Sequence, residues 1–226
     1  MASLRDTSTP PTVVFDLGGV LVDWDPRYLF RQLLPDEAAV EQFLAQVCTA
    51  EWNAAQDAGR SWADAVAEAS ARFPDHAELI AAYDERWPET VGGEIAGSVA
   101  VLRDLREQAL TPNTSQHFCV EKFDLTLPMF EWLSWFDGIV VSGRERVVKP
   151  DPRIFAILMD RYQLDPSSTI YIDDVEANID AARAAGMTGV LFTAPDRLRS
   201  DLRGFGLLTG DGLRRPRVAG TGARLP

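Results

Sequence analysis

Four charged residues stand at or shortly after the ends of apolar runs in this sequence. Asp16 ends "TVVFD", Asp173 and Asp174 end "TIYIDD", and Lys149 follows "GIVVS" after a short loop. In a parallel α/β sheet, ligands bind at the carboxyl ends of the strands, so we expect these side chains to meet at one edge. Three carboxylates repel one another unless a cation lies among them, and hard oxygen ligands suit Mg²⁺. The chemistry that such a set supports is attack of a carboxylate on phosphorus, helped by a metal ion and a lysine that neutralise charge.

The elements that would position these residues follow from the apolar pattern. Four short runs, at 12–16, 138–142, 169–174 and 189–193, are continuously apolar rather than alternating. This is typical of parallel strands covered on both faces. The stretches "PRIFAILMDRYQL" and "EANIDAARAAGM" have apolar residues at helical spacing. The resulting strand–helix rhythm predicts an α/β fold with a doubly wound, Rossmann-like parallel sheet.

The region between the first strand and residue 95 has a different pattern. Amphipathic helices are predicted at "PRYLFRQLL", "EAAVEQFLAQVC", "SWADAVAEASARF" and "AELIAAYDERW". We interpret them as an inserted helical-bundle cap, with helices of the sheet's own layers as the alternative. The predicted domains are a core at 10–26 and 95–208, a cap at 27–94 and a tail at 209–226, whose Gly, Pro and Arg content is typical of disorder.

The amino-acid composition limits which classes of binding partner are expected. The 226 residues carry a formal net charge of −12, so nucleic acid and anionic membranes are not expected partners. Cys48 and Cys119 lack a paired spacing, which argues against a disulfide framework or a zinc site. We find no apolar run of transmembrane length and no signal-peptide pattern, so the expected location is cytoplasmic. For the oligomeric state, both a monomer and a homodimer are compatible with the sequence.

Three segments carry a resemblance to a known family. "VVFDLGGVLVDWD", "SGRERVVKPDPRIF" and "YIDDVEANIDAARAAGM" resemble the first, third and fourth motifs of the haloacid dehalogenase-like hydrolase superfamily, across roughly residues 12–208. The helical insertion takes the place of that superfamily's helical cap. The segment "FDLGGVLVDW" is similar to the first motif of a bacterial group of small sugar-phosphate phosphatases. The resemblance implies a Mg²⁺-dependent phosphomonoester hydrolase that acts on a small phosphorylated metabolite through an aspartyl phosphate.

The resemblance also implies roles for individual residues. Asp16 would be the nucleophile and a metal ligand. Asp174 would be the second metal carboxylate, with Asp173 supporting it directly or through water. Lys149 would bind phosphate and screen Asp16. Asn178 would either orient the fourth-motif loop or cap the helix that follows.

Gly18 departs from the family's usual pattern. Most phosphatases of the superfamily have an aspartate here as general acid and base, and its backbone carbonyl binds the metal. Glycine keeps the carbonyl and loses the proton carrier, so we expect the proton to come from water or from a cap residue. Dehalogenases of the superfamily also lack an acid here and use the aspartate on carbon, but they lack the fourth-motif metal acids. A relative that only binds a phosphorylated ligand is the other alternative.

The second motif is harder to place. It consists of a Ser or Thr that ends an apolar strand, often before an Asn. In "VLRDLREQALTPNTSQHF" only "AL" precedes Thr111, and Pro112 stands where Asn is expected. This predicts a strand several residues shorter than the typical length of about five, with reduced activity or stability. Thr111 is the predicted phosphate-binding hydroxyl, Thr114 and Ser115 are the alternatives, and a plain loop is the competing interpretation.

Substrate contacts are predicted in the cap segment "TAEWNAAQDAGRSW". Trp52 would face a sugar ring, and Asp57 would accept hydrogen bonds from its hydroxyls. The alternative is that Trp52 and Trp62 lie in the interior of the cap while Asp57 and Arg60 form a surface pair.

Overall fold

The computed structural model describes residues 11–108, the backbone of residues 112–116, and residues 119–208. The strands are β1 (Thr12–Phe15), β2 (Val22–Trp24), β3 (Val91–Glu94), β4 (Pro112–Gln116), β5 (Gly138–Val141), β6 (Thr169–Asp173) and β7 (Thr188–Leu191). The helices are α1 (Arg27–Leu33), α2 (Glu37–Gln46), α3 (Ala50–Asp57), α4 (Trp62–Arg72), α5 (Ala77–Glu85), α6 (Ala96–Glu107), α7 (Val120–Thr126), α8 (Ser142–Glu145), α9 (Pro152–Tyr162), α10 (Glu176–Ala184) and α11 (Pro195–Gly204). The predicted tail, 209–226, lies outside the described residues.

Five strands form one parallel sheet in the order β5-β4-β1-β6-β7. Successive residues of a strand point to opposite faces, and here both faces are buried. Val13 and Phe15 join the larger apolar core, whereas Val14 between them joins a second core with Tyr171. Burial on both sides is the reason why these strands are continuously apolar. The predicted doubly wound, Rossmann-like sheet is confirmed.

Strand β4 differs from the sequence prediction. It has five residues, Pro112–Gln116, and pairs in parallel with β1 on one side and β5 on the other. The expectation that this strand of the sheet is truncated was therefore wrong, since five residues pair after Thr111 rather than before it, and the reduced activity stays a prediction. The strand is held by main-chain pairing on both sides, which an apolar-run criterion does not detect. Pro112 is its first residue, where a missing N–H is tolerated.

Helices α1 to α5 make up the insertion between β2 and β3. The two strands pair antiparallel, with Val22 opposite Glu94, so the chain enters and leaves the insertion at one place. Aromatic side chains fill the space among the helices: ring centroids lie 4.6 Å apart for Phe30 and Phe43, and 5.3 Å apart for Phe30 and Tyr83. The predicted helical cap is confirmed, whereas its boundaries at residues 27 and 94 stay predictions.

The described helices include none with the length and apolar character needed to span a bilayer.

Candidate active site

A lysine and three carboxylates meet at the carboxyl edge of the sheet. Asp16 follows β1, and Asp173 and Asp174 lie at the end of β6. The Nζ of Lys149 lies 2.9 Å from Asp16 Oδ1 and 2.7 Å from Asp173 Oδ2. One oxygen from each carboxylate lies within 4.8 Å of the other two. We call these four residues the carboxylate–lysine cluster, and the convergence predicted from the strand ends is what the structure has.

Asp173 is held by donors on both of its oxygens. Oδ2 accepts from Lys149 at 2.7 Å and from the Tyr171 hydroxyl at 3.2 Å. Oδ1 accepts from the Val175 backbone N–H at 2.9 Å and from Asn178 Nδ2 at 3.0 Å. The N-cap of α10 is Val175, and Asn178 lies inside the helix. The Asn178 side chain therefore orients the loop after β6, and the capping alternative was wrong.

The pKa values in the cluster reflect burial and mutual charge. Burial raises the pKa of Asp16 to about 7; Lys149 lowers it and Asp173 raises it further. Burial alone would lower the pKa of Lys149, but Asp16, Tyr171 and Asp173 shift it above its ordinary value. Burial and the neighbouring Asp173 also raise the pKa of Asp174. The three carboxylates thus bring more negative charge together than the single Lys149 ammonium can balance.

This excess of negative charge bears on whether a divalent cation fits the site. Asp16 and Asp173 are buried, and Asp174 is exposed at the open side of the cluster. Carboxylate oxygens are the ligands that Mg²⁺ takes in proteins, usually one or two of them with waters. A cation favours the charged form of nearby carboxylates, so it would offset the shifts that burial imposes. The residues present fit Mg²⁺.

Two glycines follow Asp16 and have opposite surroundings. A Cβ on Gly18 would meet no described heavy atom within 4 Å. On Gly19, whose φ is +73°, a Cβ would lie 2.2 Å from Asp174 Oδ2. Gly19 therefore permits the loop after β1 to lie directly against Asp174, whereas the place beside Gly18 is open. The proposed metal contact of the Gly18 carbonyl stays a prediction.

The cap residues are arranged differently from either sequence interpretation. Trp52 packs among aromatic rings, 5.5 Å from Trp62 and 5.9 Å from Tyr83 between centroids. It therefore lies in the cap interior, as the alternative held, and its proposed sugar contact stays a prediction. The Arg60 guanidinium donates to Glu68 at 3.0 Å and to the Trp52 carbonyl at 3.0 Å. The expected Asp57–Arg60 pair was wrong: no described ion pair joins them.

Asp57 interacts with core residues instead of with Arg60. It is the last residue of α3 and is partly buried. Burial raises the pKa of its carboxyl group to about 7, and a hydrogen bond from the Cys119 backbone N–H and the charge of Lys149 offset part of this rise. Cys119 begins α7, which follows β4 in the chain. The carboxyl group that sequence spacing assigned to the cap surface therefore lies at the junction between cap and core.

The second motif is described only through its backbone. Thr111 lies outside the described residues. In β4, Thr114 pairs with Phe15, so the parallel register brings Ser115 level with Asp16. Of the residues considered at this motif, Ser115 is thus the one whose backbone position lies beside the nucleophile candidate at the carboxyl end of the sheet.

Two contributors were missed by the sequence analysis. Tyr171 donates its hydroxyl to Asp173, and Cys119 donates its N–H to Asp57. Tyr171 could have been found, because residues two apart on a strand lie on one face. The backbone donor at Cys119 has no sequence signal, since any residue type offers the same N–H.

Comparisons with known proteins agree with this architecture. A sesquiterpene phosphatase of Aspergillus oryzae is 24% identical over 189 residues, covering 82% of this chain and 91% of that protein. Mouse acyl-CoA dehydrogenase family member 10 is 36% identical over 78 residues, which are 33% of this chain; the chain spans only 7% of that longer relative. The structure of a HAD family enzyme from Bacteroides thetaiotaomicron, in complex with magnesium and inorganic phosphate, has a TM-score of 0.61 at 18% identity. It is matched over 82% of this chain and 96% of that one, which shows the shared fold.

The family itself is shown by a longer match. A family model described as haloacid dehalogenase-like hydrolase matches residues 10–186. This range contains β1, the helical insertion, Lys149 and the acids that end β6. The resemblance stated from three motifs is confirmed, and the chain belongs to the haloacid dehalogenase-like hydrolases.

Proposed function

We propose that this protein is a Mg²⁺-dependent phosphomonoester hydrolase that acts on a small phosphorylated metabolite, such as a sugar phosphate. The observation that carries the proposal is the position of Lys149. Its Nζ lies 2.9 Å from Asp16 and 2.7 Å from Asp173, and it is buried together with them. A buried ammonium fixed against a carboxylate at the open edge of the sheet provides a site for an anion next to a nucleophile.

Asp16 would carry the covalent step. A carboxylate oxygen attacks phosphorus, the bond from phosphorus to the leaving-group oxygen breaks, and an aspartyl phosphate forms. Water then attacks the same phosphorus, releasing inorganic phosphate and restoring the Asp16 carboxylate. Lys149 would hold the phosphoryl oxygens and reduce the repulsion between two anions. Asp173, with both oxygens occupied by donors, would position Lys149.

Asp16 and Asp174 would hold Mg²⁺, with the Gly18 carbonyl as a third ligand and Asp173 supporting them. The ion supplies charge neutralisation and in-line alignment for phosphoryl transfer. Asp174 is exposed, which leaves it accessible to an ion entering from solvent. The close approach of Gly19 fixes where this carboxylate can lie.

Two relatives support phosphate chemistry over the alternatives. The Aspergillus relative is a phosphatase, and the Bacteroides structure holds magnesium and phosphate. Attack on carbon, as in dehalogenases, needs no metal and leaves Asp174 without a role. A binding-only relative would not need the nucleophile in contact with Lys149.

The test is phosphate release from a panel of sugar phosphates, nucleotides and an aryl phosphate, with Mg²⁺ and with a chelator. Activity should need Mg²⁺, and Asp16→Asn should remove it because an amide is a poor nucleophile. Asp137→Asn is the matched control, since Asp137 is exposed just before β5, at the other end of that strand. Chloride release from a 2-haloacid in chelator, without phosphatase activity, would establish the dehalogenase alternative instead.

A further inference from the structure

The carboxylate–lysine cluster lacks a proton carrier for the leaving group. Asp16 is the nucleophile, Asp173 is fully occupied by donors, and Asp174 faces the metal position in the proposed function. Gly18 has no side chain, and nothing described lies within 4 Å of where its Cβ would be. An alkoxide leaving group nevertheless needs a proton as the phosphorus–oxygen bond breaks.

Asp57 lies where such a carrier is needed. It ends α3, its carboxylate accepts from the Cys119 N–H, and it is close enough to Lys149 for their charges to interact. Lys149 contacts Asp16 directly. Asp57 thus belongs to the cap, whereas strands of the core supply the other carboxylates.

The α3 end packs on the core through two contacts that follow Asp57 in the chain. We use this term for residues 57–62. A Cβ on Gly59 would lie 3.1 Å from Arg146 Cγ and 3.2 Å from the Gly143 carbonyl, so the backbone there packs tightly on α8. Trp62 Nε1 lies 3.0 Å from Cys119 Sγ. Asp57 is therefore held at a defined position over the carboxyl edge of the sheet.

No ion pair within the described residues explains the partial burial of Asp57. Among the ion pairs of the described residues, none includes it. Arg60, the nearest arginine in sequence, is taken by Gln56, Glu68 and the Trp52 carbonyl. A partly buried carboxyl with a single backbone donor costs free energy, so its place at the junction calls for another reason.

We propose that Asp57 is the proton carrier of the reaction, in the place of the acid that Gly18 lacks. This rests on the proposed function. The carboxylic acid of Asp57 gives its proton to the leaving-group oxygen as the phosphorus–oxygen bond breaks. The resulting carboxylate then takes a proton from the attacking water as that oxygen bonds to phosphorus and the bond to Asp16 breaks. One cycle leaves Asp57 protonated again.

The surroundings of Asp57 suit both the donation and the uptake of a proton. Burial raises the pKa of Asp57 to about 7, and the Cys119 N–H and Lys149 lower it in part. A group whose pKa lies near neutrality can both give and take a proton. The other described titratable groups that interact with Asp57 are Cys119 and Tyr83, and burial raises the pKa of both, so they stay neutral.

The first experiment compares kcat/KM of Asp57→Asn for an alkyl and an aryl phosphate, because kcat/KM reports the step in which the leaving group departs. The alkyl value should fall about 10²-fold or more, and the aryl value should change less than about threefold, since a phenoxide leaves without a proton. The aryl substrate should also show a burst of phenol, because water attack on the aspartyl phosphate is slowed. Asp75→Asn, an exposed cap residue, is the matched control.

The second experiment is a rescue. Gly18→Asp in the Asp57→Asn background should recover at least tenfold of the alkyl rate, since the place beside Gly18 is open. Should Asp57→Asn not fold, the wild-type pH profile decides: alkyl kcat/KM should decline above about pH 7 relative to aryl kcat/KM. Equal losses for both substrates, or parallel pH profiles, would overturn the role of Asp57. If Asp16→Asn kept turnover, the proposed function itself would fail.

Discussion

The carboxylate–lysine cluster lies at the carboxyl edge of the sheet, the α3 end packs on core segments that follow β4 and β5, and the two polar regions are built in opposite ways. In the cluster, Lys149 contacts two carboxylates, and Asp173 accepts from four donors. At the α3 end, Asp57 has one backbone donor, and Arg60 is turned away toward its own helix pair. One region is closed into a network, whereas the other keeps a carboxyl group available.

This contrast indicates which chemical step each of the two regions serves. A network such as that around Lys149 and Asp173, in which each side chain has several partners, fixes geometry well. A carboxyl group with a single donor fixes less and can change its protonation state. The cluster therefore suits bond formation at phosphorus, and the α3 end suits handling of the leaving group. Substitutions in the cluster should accordingly affect folding and every substrate, and those at the α3 end should affect substrates selectively.

The largest effect should come from Lys149→Met. It leaves Asp16 and Asp173 buried next to each other without their shared cation. Removing one partner of a buried ion pair typically destabilises by about 3–5 kcal/mol. The free energy of unfolding, measured in urea, should fall by about this amount, and phosphatase activity should be lost with all substrates.

The matched comparison at the α3 end is Arg60→Met. Its guanidinium is about a quarter exposed, and its ion-pair partner Glu68 is largely exposed. Exposed pairs contribute about 1 kcal/mol or less, so the loss of stability should be well below that of Lys149→Met. Equal losses in the two variants would contradict the distinction between a closed network and an open one.

A smaller effect separates the two glycines after Asp16. In Gly19→Ala the new Cβ would press on the Asp174 carboxylate, and the positive φ adds strain. Left-handed backbone costs an L-residue roughly 1–2 kcal/mol, and the displaced Asp174 should raise the Mg²⁺ concentration needed for half-maximal activity. In Gly18→Ala the Cβ would meet no described atom within 4 Å, so stability should change by about 0.5 kcal/mol or less.

Titrating Mg²⁺ into both variants checks this pair. A shift in Gly19→Ala alone would support Asp174 as a metal ligand. The same Mg²⁺ requirement in Gly19→Ala as in the wild type would show that Asp174 can move without consequence, and would argue against its assignment.

How far the sequence predicts this molecule is clear from two strands of equal length. Strand β6, "TIYID", is apolar and buried, and was recognised together with the acids that end it. Strand β4, "PNTSQ", is polar and was interpreted as a loop or a truncated motif. It forms because β1 and β5 pair with it on both sides, which is a property of the assembled sheet. Local pattern predicts strands that bury side chains, and it misses those that are held mainly by their neighbours.

The site shows the same limit. Strand ends predicted that Asp16, Lys149, Asp173 and Asp174 would converge, because a parallel sheet brings its carboxyl ends together. No comparable rule relates the end of α3 to the sheet. The pairing of Asp57 with Arg60 was inferred from closeness in the chain, but Arg60 folds back on α3 and α4. The direction in which the cap presents Asp57 is decided by packing of Gly59 and Trp62 on the core.

The last prediction concerns how the ionisation of Asp57 changes stability with pH. Its pKa is raised from 3.8 to about 7 in the folded protein, chiefly by burial. Between these values the folded state binds more protons than the unfolded state, so this carboxyl lowers stability as pH rises from about 4 to 7. Asparagine does not titrate. The unfolding free energy of the wild type minus that of Asp57→Asn should therefore decrease steadily across this window. Urea unfolding of both proteins at pH 5, 6, 7 and 8 measures the difference and cancels the titration of Asp16 and Asp174, which both share. A difference that stays constant with pH would show that the α3 end does not keep this carboxyl protonated, and the proton carrier would then have to be a solvent molecule.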